Sequence, residues 1–366
     1  MKEKFLNNLK TSTMDVPTEE NNYRLSDSLN QSSLKILEDS PREFKKIMEG
    51  EIEFESTKDT ERGDLVHKSC LEPELISKEY AIVEGEVPSH KSQTAFINAL
   101  PQAFEPDDQD IIDAYKMAYS VKSKSDEKVE KEAKEVYEKY REYYQAVTGD
   151  KEIITSKEYE TAAQSAKAAM DHPIIGNMLK QDDNSLIEFP VGFSIDDSGF
   201  TRSSKALKER GDDLKDEFNH LYSRVIEKGN PINLKGKLDK VDINYESKTI
   251  KIMDIKSTKM SFKQFQKNFF EYGMDLQAAV YTEAMFYYLH HDLGYSEAEV
   301  RVFDVEFYFA VINVNKPEAR LFHVSAETTD RGIAKMLNIL NDYVWHDDNG
   351  LWEAKAVEYE KGGIEI

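Results

Sequence analysis

Apolar residues return along this chain in two rhythms, and each rhythm predicts its own kind of element. From Arg24 to Gly50 (RLSDSLNQSSLKILEDSPREFKKIMEG) the text is helical, with Ser32 or Ser33 as N-cap and Pro41 as a break or second helix start. Gly63–Leu71 (GDLVHKSCL) predicts a further helix with Val66, Cys70 and Leu71 on its apolar face. In Asp126–Gly149 the residues Val129, Ala133, Val136, Tyr140, Tyr143 and Val147 alternate spacings of four and three on an otherwise charged helix. Such a stripe must be covered, by the body of the protein or by another subunit. Thr155-Ser-Lys-Glu158 has the form of a capping box that opens a helix running to about Met170.

The second half of the chain changes rhythm. Leu186–Ile195 (LIEFPVGFSI) is strand-like after the polar break QDDNS, and Thr201–Asn230 is charged and helical up to the turn signal Gly229-Asn230-Pro231. Ile232–Ile243 (INLKGKLDKVDI) and Thr249–Ile255 (TIKIMDI) predict two strands joined by the polar turn NYESK. A helix is expected from about Ser261 to His290, with His290-His291 capping its end. Strands follow at Arg301–Val314 and Ala319–Val324, around the turn Asn315-Lys-Pro-Glu318. A last amphipathic helix, about Ala326–Trp345, precedes a polar tail. There is no internal repeat.

Composition narrows the classes. A chain of 366 residues with 39% hydrophobic residues buries a sizeable core, as two or three domains or one elaborated enzyme domain. No segment approaches the ~20 apolar residues of a membrane helix, and Met1–Lys10 lacks the apolar region of a signal peptide. The expectation is a soluble, cytoplasmic protein without a membrane partner. The lone cysteine, Cys70, rules out an internal disulfide, a four-cysteine zinc site and an iron–sulfur cluster. No G-x-x-x-x-G-K-[ST] occurs, so no bound nucleotide is expected. With 48 basic and 70 acidic residues the net charge is −22, so an anionic ligand needs a locally basic groove.

Candidate chemistry concentrates in the strand pair. Asp239 and Asp254 each lie late in one predicted strand, and Lys256 shares the face of Asp254 because strands have period two. Two carboxylates hold a hard cation through oxygen; the cation activates water and neutralises a scissile phosphate. A neighbouring lysine orients the water or steadies the developing charge. Taken alone, D-x-K is more often a solvated strand face. Its neighbours change the weighing: Gly236-Lys-Leu-Asp239-Lys-Val on one strand, and Gln277 and Tyr281 at i and i+4 on the following helix.

The ordered set G-x-x-x-H (Gly63–His67), G-x-x-D (Gly236–Asp239), D-x-K (Asp254–Lys256) and Q-x-x-x-Y (Gln277–Tyr281) resembles the RecB-type branch of the PD-(D/E)XK nucleases. More narrowly it resembles the phage and prophage exodeoxyribonuclease VIII-like group, over roughly Arg24–Glu353. The resemblance implies an α/β class, a restriction-endonuclease-like α/β/α core with a mixed central sheet. It implies His67, Asp239 and Asp254 as ligands of Mg²⁺ or Mn²⁺, a catalytic Lys256, and Gln277 and Tyr281 lining the DNA site. A lone helical histidine is usually a surface or core residue, and only the motif order raises His67. A DNA substrate and a single-strand annealing recombinase are the partners it suggests, and a homo-oligomer is expected because relatives often form rings around DNA. A phage-encoded chain would act in the host cytoplasm.

On this reading residues 1–22 are a flexible arm, 23–353 the nuclease domain, 354–366 a polar tail, and about 105–149 and 201–230 helical insertions. Lys235–Lys267 holds nine lysines against Asp239, Asp242, Glu246 and Asp254, so 9 − 4 = +5, which predicts an anionic-substrate groove. Lys237, Lys259 and Lys263 are its expected DNA contacts. The leading function is a 5′→3′ exonuclease on duplex DNA in phage recombination. The alternatives are an endonuclease of the same fold or a DNA-binding scaffold that does not cleave.

Overall fold

The period-two segments pair as strands in a computed structural model that describes residues 28–52, 58–102, 105–122, 124–195 and 231–363, with scattered positions between 216 and 227. The expected arm at 1–22 and most of 201–230 lie outside the described residues. The chain divides into two compact units, one of Met1–Thr57 with Ala168–Ile366, the other of Lys58–Lys167. Strands β1 (Tyr80–Val83) and β2 (Glu152–Thr155) belong to the second. The first holds β3 (Ser185–Ile195), β4 (Ile232–Asn244), β5 (Thr249–Thr258), β6 (Asp304–Asn313) and β7 (Glu318–Val324).

In the first unit the described strands form one sheet in the order β3-β4-β5-β6-β7. Every neighbour is antiparallel except β5 and β6, which run parallel. A parallel pair needs a long crossover, and helices Phe262–Lys267 and Met274–Tyr287 supply it. The protein is therefore α/β with a mixed central sheet. Ile250 and Ile252 on β5 and Phe307, Phe309 and Val311 on β6 turn one face into the core beneath Met274–Tyr287. That helix is buried on nearly every side, with Asp275, Gln277, Thr282 and Glu283 among its covered residues. Helix Ala326–Asn349 crosses it at Gly332, where an added Cβ would stand 2.1 Å from the Asp275 carbonyl oxygen.

Several boundaries differ from the expectation, each for a local reason. The N-cap of the first described helix, Gln31–Asp39, is Asn30, not Ser32 or Ser33. Asn30 Oδ1 accepts the Ser33 N–H at 2.8 Å and Ser33 Oγ accepts the Asn30 N–H at 2.8 Å, so Ser33 is the reciprocal partner. Ser40 then caps Pro41–Met48. The single helix expected at Ser261–His290 is two, because Gly273 takes φ +67 and starts a new helix; a π-helical turn, Tyr288–Asp292, follows. Arg301 and Val302 stay outside β6 because a short helix, Glu297–Val300, capped by Ser296, precedes them. The polar tail contains helix Ala356–Lys361, where Tyr359 stacks on Trp345.

The second unit is mostly helical. Thr155 and Glu158 form the expected capping box, with the Thr155 N–H donating to Glu158 Oε2 at 3.0 Å and the Glu158 N–H to Thr155 Oγ1 at 3.2 Å. Helix Asp126–Val147 packs on Asp108–Ala118, and Phe96, Ile97 and Leu100 complete the cluster. Its buried face is Val129, Ala133, Tyr137, Tyr140 and Tyr144, while Val136, Tyr143 and Val147 sit at the margin. The heptad-like stripe is thus corrected: tyrosines bury their rings and keep the hydroxyl at a polar edge. Tyr137 donates to Glu105 at 3.4 Å, and Tyr144 to the Pro101 carbonyl.

Candidate active site

Strand register places the two aspartates. The β4–β5 ladder runs from Asn244↔Thr249 to Lys240↔Met253 and ends just before Asp239 and Asp254. There the Asp239 carboxylate enters the ladder, with Oδ2 accepting the Ile255 N–H at 2.6 Å. Asp254 is 2% exposed, and its Oδ2 accepts from Gln277 Nε2 at 2.5 Å. Its Oδ1 lies 2.7 Å from Lys256 Nζ in an ion pair and takes no hydrogen bond of ordinary geometry. A buried carboxylate oxygen with lone pairs to spare suits a hard cation. Burial alone would lower the Lys256 pKa, but the carboxylates of Asp254 and Asp239 outweigh it and hold the ammonium above its ordinary value.

A third carboxylate joins them, and sequence reading missed it. The β3–β4 pairs Ile187↔Lys240 and Phe189↔Leu238 flank Glu188 and Asp239 and bring the two side by side. Oxygens of Glu188 and Asp239 lie within 4.8 Å. At an effective dielectric of about 20 that spacing costs on the order of 3 kcal/mol between two anions unless a cation intervenes. Lys237 Nζ offsets part of this at 2.8 Å from Glu188. The apolar alternation breaks here: Leu186 packs on the core, and then Phe189, Val191 and Phe193 do. That three-residue step, visible in LIEFPVGF, was the available signal.

Motif glycine and motif tyrosine interlock. A Cβ on Gly236 would stand 2.7 Å from Tyr281 Cε1, so the ring needs the missing side chain. Gln277 and Tyr281, one turn apart on one helix face, thereby grip β5 through Asp254 and β4 through Gly236. Gln277 is 5% exposed, and Tyr281 is half-buried and packs on the core near Phe307.

His67 lies half-buried on helix Lys58–Leu71 in the second unit, where Val66, Cys70 and Leu71 are buried as expected. His290 ends its helix in the π turn, with Nδ1 2.7 Å from the Tyr295 carbonyl oxygen. Part of the lysine sum of +5 is buried or paired. Lys235 and Lys240 are 2% and 1% exposed, Lys240 pairs with Asp242, and Lys251 with Glu306 at 3.6 Å. Lys237 pairs with Glu188, while Lys259, Lys263 and Lys267 remain exposed. Counting charges from Lys235 to Lys267 does not see Glu188 and Glu306, which lie outside that segment.

No protein-family model matches the chain, and no characterised protein matches its sequence. A solved structure from Eubacterium rectale, described as a candidate exonuclease, aligns over 98% of this chain and 95% of its own, with a TM-score of 0.41 and 12% identity.

Proposed function

We propose that this protein is a metal-dependent deoxyribonuclease, a 5′→3′ exonuclease on double-stranded DNA that serves phage recombination or DNA processing. One observation carries the reading: the buried Asp254 carboxylate takes Gln277 on one oxygen and Lys256 on the other, while the Asp239 carboxylate accepts the next backbone N–H of the same strand, that of Ile255. The donors are oxygens, which favours Mg²⁺ or Mn²⁺ over softer metals. Asp239 and Asp254 would hold the ion, and the motif order adds His67 as a further ligand. Bound there, the cation would activate a water and neutralise charge on the scissile phosphate.

The chain's own groups do the rest. The hydrogen bond from Gln277 fixes Asp254 in one rotamer, and the Ile255 N–H does the same for Asp239. Lys256 carries its proton at Nζ and directs it toward the charge that develops on phosphate oxygens in the transition state. Lys259 and Lys263 would hold the phosphate backbone of DNA by charge alone. No helix among the described residues is long and apolar enough to cross a membrane.

Purified protein should degrade linear duplex with Mg²⁺ or Mn²⁺ and stop in EDTA. Loss of label from a 5′ end before a 3′ end, with nicked circles opened only from the nick, supports the exonuclease. Cleavage of a closed circle would make it an endonuclease. Duplex binding without cleavage under any divalent cation would leave only the scaffold. Recombinase partnership is tested by co-purification with a single-strand annealing protein.

A further inference from the structure

Glu188 has φ +48, one of two non-glycine residues with positive φ among those described, and a long side chain gains nothing from that conformation. The strained residue interrupts β3 where the inward alternation skips from Leu186 to Phe189. Alternation counted from Leu186 would have sent position 188 into the apolar core. The break turns it instead to the side of Asp239, with carboxylate oxygens within 4.8 Å. Its side chain is 24% exposed, so it is neither a solvated surface group nor a core group. Lys237 approaches it at 2.8 Å, but that contact needs no positive φ, since a lysine reaches a surface glutamate from many backbones.

We infer that Glu188 is a third carboxylate of the proposed metal centre, placed beside Asp239 by a strained break in β3. The inference rests on the metal-dependent hydrolysis proposed above and adds to it a residue outside the motifs. Glu188 would then hold the cation together with Asp239. Glu188 brings a second negative charge to the Asp239 side, which raises affinity for the ion before DNA arrives.

Mn²⁺ binding to the full chain without DNA, followed by calorimetry and electron paramagnetic resonance, tests this apart from cleavage. Glu188→Gln should weaken Mn²⁺ binding at least tenfold and raise the Mg²⁺ concentration for half-maximal cleavage by a similar factor. Lys237→Met should leave Mn²⁺ affinity unchanged or tighten it, because it removes a competing cation. Glu188→Gly should raise the melting temperature of the metal-free protein, because glycine adopts φ +48 without strain, and should weaken Mn²⁺ binding like Glu188→Gln. Wild-type affinity in Glu188→Gln, or equal losses in Glu188→Gln and Lys237→Met, would overturn the inference and leave Glu188 as the ion-pair partner of Lys237. Wild-type protein that neither binds Mn²⁺ nor cleaves DNA would instead sink the nuclease reading itself.

Discussion

Asp254 is where two side chains meet, Gln277 on one oxygen and Lys256 on the other. Asp239→Ala or Asp254→Ala should therefore remove detectable cleavage while circular dichroism stays native, because one lost carboxylate leaves the cation under-ligated. Gln277→Ala should cost about 10- to 100-fold in activity, the usual effect of freeing a ligand from its partner. Lys256→Ala should slow single-turnover cleavage by roughly 10²–10³-fold yet keep Mn²⁺ affinity within a few-fold, as a group acting on the transition state would. Lys259→Ala should leave the chemical step alone, weaken DNA binding and lower its salt slope by about one. Equal, modest effects from both lysine variants would reduce Lys256 to one more phosphate contact.

Two elements illustrate how packing selects among sequence patterns. Gly236 is required by a ring on another element, so Gly236→Ala should destabilise the protein by about 1–3 kcal/mol through overpacking. Tyr281→Ala in the same chain should recover part of that loss, and denaturant midpoints of the two single variants and the double would decide. Helix Asp126–Val147 supplies the second case. Tyr137 and Tyr144 face the cluster of Phe96, Ile97 and Tyr115, whereas Val136 and Tyr143 lie at its margin. Tyr137→Ser should cost roughly 3–5 kcal/mol and Val136→Ser no more than about 1 kcal/mol. Thermal melts with similar losses in both would restore the heptad-like face.

At the scale of the whole molecule, buried phenols set the alkaline limit of stability. Burial, reinforced by Tyr295, pushes the Tyr245 hydroxyl up to about 12, and burial followed by Glu306 does the same for Tyr308. A folded pKa above the unfolded value of ~10 means the contribution is complete below pH ~10 and is lost as pH rises through ~12. Denaturant midpoints should fall across that window, and Tyr245→Phe should flatten the fall. A midpoint constant to pH 12 would show that these hydroxyls ionise without resistance.

The sequence by itself determined where regular structure forms and which residue types are available for chemistry. Period-two runs became β3 to β7, the Thr155–Glu158 box opened its helix, and Lys256 fell beside Asp254 on one face of β5 because alternation is a local property. Gly273 was equally visible, yet only the packed helices decided that its left-handed conformation would split one predicted helix into two. Tertiary structure also chose the buried tyrosines of Asp126–Val147, paired Lys237, Lys240, Lys251 and Lys256 with carboxylates, and explained the motif glycine by a ring forty-five positions away. It alone set Glu188 beside Asp239, since the register of β3 on β4 joins residues 51 positions apart. Short-range periodicity is written in neighbouring residues; register, partners and clashes arise only when distant segments meet.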